Sequence, residues 1–533
     1  MLLTLKKNVN QPDNPDVIRL IKKRRKGLLR IVFSRFGITA LLLAVQIFIL
    51  LAMFIWFNED IEYFAMASTA FTLIIMLHLF TLNMESSAKL TWMFLLTLIP
   101  LPAALMLLFT EKDSGHSRMS RRLQRLVRDS RNSITQEESV LKEQDVVQSS
   151  TDSLCRYLNL SNTFPLYNGS QVTYFPLGEN KFQAMLEELK KAEKFIFLEY
   201  FIIDEGLMWG SILKILADKA AQGVEVRVMY DGMCEISTLT SDYPKRLEKL
   251  GIKCKSFSPL TPFISTQYNY RDHRKILVID GKVAFNGGVN LADEYINEIV
   301  RFGHWKDTAI MIKGKAVDSY THMFLQMWHL TELKKDLDWA AYFGLAEAQK
   351  NDGYIIPYCD SPLDSFKVGE TIYMDILDRA KSYVHIMTPY LILDNELEMA
   401  LSYAAQRGID VKLILPGIPD KKMPYALAKT HYKHLLDCGV KIYEYTPGFI
   451  HAKVFVSDDE KAVVGTINLD YRSLYHHFEC ATYMLKTSCL PQIEEDFQNT
   501  LTKCSEVTYE TIKKTKLSYK IRGAIMKVFA PLM

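Results

Sequence analysis

The pattern of apolar and polar positions divides the chain into unlike parts. Three stretches, 37–57, 63–84 and 90–110, contain no Asp, Glu, Lys or Arg. Each is close to the ~20 residues a helix needs to cross a hydrocarbon core, and none shows the polar stripe of a surface helix. They predict three transmembrane helices of a multi-pass membrane protein, with Pro100 and Pro102 leaving the third open to a kink or a re-entrant turn instead of a straight crossing. A basic tail, 1–36, precedes them with ten Lys or Arg against Asp13 and Asp16. Residues 111–160 turn polar and read as a linker.

Past residue 160 the period changes. β-rich runs at 195–203 and 224–230 alternate with amphipathic helical patterns such as 182–192, which predicts α/β architecture. The arrangement occurs twice. Ala-Ala-Gln-Gly at 220–223 and Leu-Gly-Ile-Lys at 250–253 are answered by Ala-Ala-Gln-Arg-Gly at 404–408 and Cys-Gly-Val-Lys at 438–441. The offset is 185 residues between Gly223 and Gly408, and 188 between Gly251 and Gly439. Two tandem domains, 161–345 and 346–510, follow from this repeat. In the last stretch, 511–533, Leu517, Ile521, Ile525, Val528 and Leu532 form an apolar stripe beside several lysines. A basic amphipathic helix of this kind suits an anionic lipid surface and a seat on the protein body equally well.

Charge narrows the function. Across 533 residues, Lys+Arg 64 against Asp+Glu 61 gives a net charge of +3. That balance argues against nucleic acid as a partner held by bulk charge. The eight cysteines show no paired spacing, which predicts free thiols and neither a disulfide framework nor a zinc site.

The chemistry resides in a string that appears once per repeat. His273, Lys275 and Asp280 read H-x-K-x-x-x-x-D, with Asn290 ten residues further on after Gly287-Gly288. His451, Lys453 and Asp458 read the same, with Asn468 ten residues further on after Gly465. On an extended strand, positions i and i+2 face one way, so each His and Lys project together. Two facing domains then bring two His, two Lys and two Asn to one pocket. Lysine and asparagine donors suit the non-bridging oxygens of a phosphodiester. One imidazole attacks phosphorus and the other protonates the leaving alcohol. No metal or cofactor is expected.

These residues resemble the phospholipase D superfamily, and the chain as a whole resembles the bacterial cardiolipin synthases. The supporting strings include Asn269-Tyr270-Arg271-Asp272-His273, Trp305-Lys306-Asp307-Thr308, Gly465-Thr466-Ile467-Asn468-Leu469-Asp470-Tyr471-Arg472-Ser473 and Phe478-Glu479. The resemblance implies N-terminal transmembrane helices followed by two tandem phospholipase D-like α/β domains related by a pseudo-two-fold axis. It implies transfer of a phosphatidyl group between two phosphatidylglycerol molecules through a phosphohistidine; His273 is taken as the nucleophile and His451 as acid and base, the near-symmetric motifs leaving the reverse assignment open. A hydrolase, or a transferase using another alcohol, is the alternative. Phosphatidylglycerol and anionic membrane lipid are the implied partners. Asp307 is expected to orient His273, and Glu479 to orient His451. Asp280 and Asp458 are expected to be structural members of the catalytic motif.

Overall fold

The computed structural model describes residues 16–20, 48, 61–111, 114–259, 270–332 and 339–532. The first repeat supplies β1 (Ser170–Phe175), β2 (Phe195–Tyr200), β3 (Glu225–Asp231), β4 (Lys253–Phe257), β5 (Arg271–Asp272), β6 (Lys275–Ile279), β7 (Val283–Gly287), β8 (His304–Lys306) and β9 (Ala309–Gly314). Seven of these form a sheet in the order β1-β9-β7-β6-β2-β3-β4. Strands β2, β3 and β4 run parallel, and the helix Leu207–Ala221 makes the crossover between β2 and β3. Every residue of β2 is buried, as its apolar run requires when helices cover both faces of the sheet.

The second repeat supplies β10 (Tyr354–Asp360), β11 (Tyr383–Met387), β12 (Asp410–Pro416), β13 (Lys441–Tyr445), β14 (Gly448–Ile450), β15 (Val454–Ser457), β16 (Lys461–Gly465), β17 (His477–Leu485) and β18 (Cys504–Glu506). They pair in the order β10-β17-β16-β15-β11-β12-β13-β18. Strand β14 stays outside this order.

Two short ladders join the halves. Strand β5 of the first pairs with β17 of the second, opposing His477 to Arg271 and Phe478 to Asp272. Strand β8 pairs with β14, opposing Trp305 to Phe449 and Lys306 to Ile450. Each ladder stops one residue short of a candidate catalytic side chain on both strands. The halves also share one apolar core, which runs from Phe197 and Ile310 to Ile386 and Val456.

The polar stretch after residue 111 is helical and lies against this body. The helix Ser114–Ser130 packs on the helix Val317–Leu330, where Gln326 donates to the Ser130 hydroxyl at 3.0 Å. Leu154 and Leu158 of the helix Thr151–Ser161 join the shared core.

The expectation of N-terminal transmembrane helices, and with it a multi-pass membrane location, is overturned. Among the described residues, no helix is long and apolar enough to cross a membrane. The stretch 37–57 lies outside the described residues apart from Phe48. The stretch 90–110 breaks at Ile99 into the helices Ser86–Leu98 and Pro100–Glu111. Pro100 lacks an amide hydrogen, and the residue before a proline avoids helical geometry; Ile99 sits at φ −135°, ψ 73°. Thirteen residues rise only ~20 Å, short of the ~30 Å hydrocarbon core. The helix Ile61–Thr81, which takes in most of 63–84, folds against this broken pair. Ile75, Leu79, Trp92, Leu96, Ala104 and Leu107 bury one another there, and His78 bonds Glu111 at 2.9 Å.

The C-terminal helix Leu517–Phe529 seats on the helix Lys422–Asp437 through Gly523. A Cβ at Gly523 would lie 2.5 Å from the Ala426 carbonyl oxygen, so only glycine permits this approach. Thr91 donates to the Val528 carbonyl at 2.6 Å, and Phe94 meets Phe529 edge-on. The helix therefore straps the N-terminal bundle to the second repeat.

Candidate active site

The site is assembled where the two joining ladders end. His273 follows β5, and its N–H donates to the Phe478 carbonyl at 2.9 Å. Glu479, the next residue on β17, accepts from His273 Nδ1 at 2.8 and 2.9 Å through its two carboxylate oxygens. His451 follows β14, and its N–H donates to the Lys306 carbonyl at 2.7 Å. Asp307, the next residue after β8, meets His451 Nδ1 at 2.7 Å.

Each imidazole is thus held by an acid from the other repeat. The expected pairing of Asp307 with His273, and of Glu479 with His451, is corrected to the reverse. The reason is the register of the joining ladders, which sets each motif histidine beside the partner strand's acid and away from its own. With Nδ1 engaged, Nε2 is the nitrogen each ring has left for substrate.

Both rings are buried, at 6% and 7% exposure. Burial and the neighbouring Lys275 hold His273 well below the usual imidazole range. Burial and Lys453 lower His451 to about 4, with Asp307 pulling the other way. Burial pushes the Glu479 carboxyl up. Desolvation favours the neutral forms of these three groups, and the lysines share in this: Lys275 falls to about 8 and Lys453 to about 7. Each lysine folds back on its own motif, Lys275 Nζ donating to the His273 carbonyl at 2.5 Å and Lys453 Nζ to that of His451. An anion entering between them would favour both ammonium forms and the imidazolium of His451.

The two asparagines differ. Asn290 accepts from the Ile202 N–H at 3.0 Å and donates to Tyr295 Oη at 2.9 Å, leaving one amide hydrogen. Asn468 keeps its buried carbonyl oxygen without a hydrogen-bond partner among the described residues. The motif aspartates lie away from the rings. Asp280 accepts from the N–H groups of Glu193, Lys194 and Phe195 at 2.7–2.8 Å. Asp458 does the same for Lys381, Ser382 and Tyr383 at 2.8–2.9 Å. Each carboxylate thus closes the turn that leads into β2 or β11. Asp280→Ala is expected to destabilise the protein by about 2–4 kcal/mol, because three donors lose a charged acceptor. A thermal melt reads this as a lowered Tm, and an unchanged Tm would contradict it.

Two further histidine and lysine positions carry no motif signal. His477 lies with its ring centroid 5.4 Å from that of His273. The ligand atoms of His273, His477 and Glu479 lie within 4.8 Å of one another, a spacing a metal ion could bridge. Lys181 is wholly buried behind the site. Its place four residues before Met185 and eight before Leu189 puts it on the helix's apolar face, a cue the sequence does carry.

A histidine and a lysine from each of two α/β halves, each ring held by an acid of the other half, form a phospholipase D-type centre. A profile described as "Cardiolipin synthase, PLD-like domain" matches residues 185–328 and 373–501, together just over half the chain. An uncharacterized protein of Streptococcus mutans is 58% identical over 463 residues, covering 86% of this chain and 99% of its own. The cardiolipin synthases of Alkalihalophilus pseudofirmus and Geobacillus kaustophilus are 33% and 34% identical, each over 69% of this chain and over 73% and 74% of their own. The structure of a phosphatidylserine synthase from Haemophilus influenzae superposes with a TM-score of 0.55 at 14% identity, covering 72% of this chain and 98% of its own, a likeness of fold. The chain belongs to the cardiolipin synthase family, phosphatidyltransferases of the phospholipase D superfamily.

Proposed function

We propose that the protein is a cardiolipin synthase that joins two phosphatidylglycerol molecules and releases glycerol. His273 Nε2 attacks the phosphorus of the first lipid. The bond from phosphorus to the glycerol oxygen breaks, and that oxygen takes a proton from His451. A hydroxyl of the second lipid then gives its proton to His451 while its oxygen attacks phosphorus, and the bond to His273 breaks. Lys275, Lys453, Asn290 and Asn468 donate to the phosphoryl oxygens.

The observation that carries this reading is the crossed pair of acid–imidazole bonds, which binds both motifs into one site. The unequal surroundings support the division of labour. His273 faces Lys275, Lys453, His451 and His477 and stays neutral, as a nucleophile must. His451 has Asp307 to stabilise the imidazolium that an acid–base role requires.

A lipid surface as partner fits the strap. Leu517, Ile521, Ile525 and Val528 face outward at 36–71% exposure among Lys516, Lys520, Arg522 and Lys527. Apolar side chains ringed by cations suit the headgroup region of anionic lipid.

The test supplies the purified protein with phosphatidylglycerol in detergent micelles. Cardiolipin and glycerol are the expected products. Phosphatidic acid alone would mean that water resolves the intermediate, and would overturn the synthase reading.

A further inference from the structure

Behind the first half-site lies a charge that the mechanism above does not use. Lys181 sits in the first turn of the helix Gly178–Lys190 and is fully buried. Its ammonium donates to the Val289 carbonyl at 3.2 Å and lies 5.2 Å from the centre of the Tyr200 ring. Val289 immediately precedes Asn290. Among the described residues, no acid forms an ion pair with Lys181.

The second half solves the same local problem without a charge. Ile467 immediately precedes Asn468, and its carbonyl accepts from the Tyr373 hydroxyl at 3.0 Å. Tyr373 lies on the helix Val368–Arg379, which precedes β11 as the helix of Lys181 precedes β2. The electrostatic neighbours also correspond: Lys181 feels Asp307, and Tyr373 feels Glu479. The chain Lys181, Asp307, His451 thus answers the chain Tyr373, Glu479, His273, with a cation in one and a phenol in the other.

A buried ammonium without an ion pair costs folding energy, and a methionine of similar shape would pack there more favourably. Burial lowers Lys181 to about 7, against the pull of Asp307. We propose that Lys181 is a positioning residue for phosphatidyl transfer: its ammonium anchors the turn that carries Asn290 and sets a positive charge beside the Asp307–His451 couple.

The inference rests on the transfer reading of His273 and His451. Asp307 is also faced by Lys275, Lys306, Lys453, His451, Tyr174 and Tyr295. Of the four lysines, Lys275 and Lys453 turn to the incoming phosphate, and Lys306 is paired with Asp496 at 2.7 Å. Lys181 meets Lys275, Cys480 and Tyr200 besides Asp307. Among the described lysines that face Asp307, it is the one whose charge neither the proposed substrate nor an ion pair claims. Removing a positive charge near a carboxylate–imidazole couple raises the pH at which the couple takes up a proton. In the first step His451 must carry the proton that it gives to glycerol, so the basic limb of activity should move to higher pH.

The experiment measures total phosphatidylglycerol consumption against pH for the full chain and three variants. Lys181→Met removes charge and donor, Lys181→Gln removes the charge and keeps a donor for Val289, and Tyr373→Phe removes the corresponding contact in the other half. Both Lys181 variants are expected to shift the basic limb of kcat/KM upward by about half a unit or more. They are also expected to lower kcat about tenfold while Tm holds or rises. Tyr373→Phe is expected to leave the limb in place. Superimposable limbs for wild type and Lys181→Gln, or an equal shift in Tyr373→Phe, would overturn the proposal. A lowered Tm with the wild-type profile would make Lys181 a packing residue only. Product identity in the same assay tests the synthase reading separately, since the limb is read from consumption whichever product forms.

Discussion

Alanine at either His273 or His451 is expected to reduce phosphatidylglycerol consumption by about 10⁴-fold or more, and the double variant to be little worse than either single one. The two rings perform different steps of one reaction, so losing either stops the cycle. In His273→Ala no nitrogen is placed to take the phosphatidyl group, and quenching in alkaline detergent, which spares a P–N bond, should yield no labelled peptide. Wild type quenched during turnover should yield the label on the peptide that contains His273. Turnover surviving in either variant, or label on the His451 peptide, would exclude the assigned roles.

The acids should separate the half-reactions. With a donor whose leaving group needs no proton, such as a p-nitrophenyl ester of phosphatidic acid, Asp307→Asn is expected to slow turnover by about 10²–10⁴-fold while phosphatidyl-His273 accumulates. Asp307 bonds His451 Nδ1, and an amide there can neither stabilise the imidazolium nor fix the same tautomer. The incoming hydroxyl then lacks its base. Glu479→Gln is expected to cause a loss of similar size without accumulation, because it disturbs the nucleophile His273 and blocks the first step. Rapid quench followed by peptide mapping reads the difference. The opposite pattern would mean that each acid serves the histidine of its own repeat.

The repeat and the two motifs were legible in the sequence because they are written locally. A His and a Lys two positions apart on extended chain, and an Asn a fixed step beyond a glycine turn, need no knowledge of distant contacts. The pairing of acids was not legible, since it depends on which strands meet across the two halves. Strands β5, β8 and β14 are two or three residues long, too short to leave a periodic signal. The apolar stretches showed the converse. Their composition reads as membrane-crossing, yet Pro100 turns one of them into two short helices that bury Leu96 and Leu107 in a common cluster. Lys181 was hidden by habit: lysines in an amphipathic helix are assigned to water, and only its spacing from Met185 and Leu189 places it inside.

The exchange of acids across the duplicated halves makes the two copies mutually dependent. A polypeptide severed between β9 and β10 would yield fragments that each keep a histidine and lack the carboxylate that orients it. Neither fragment would hold an intact couple, and function would return only on recombining the two. Such an enzyme cannot shed or silence one copy after duplication, because damage to either reaches the nucleophile and the proton donor together.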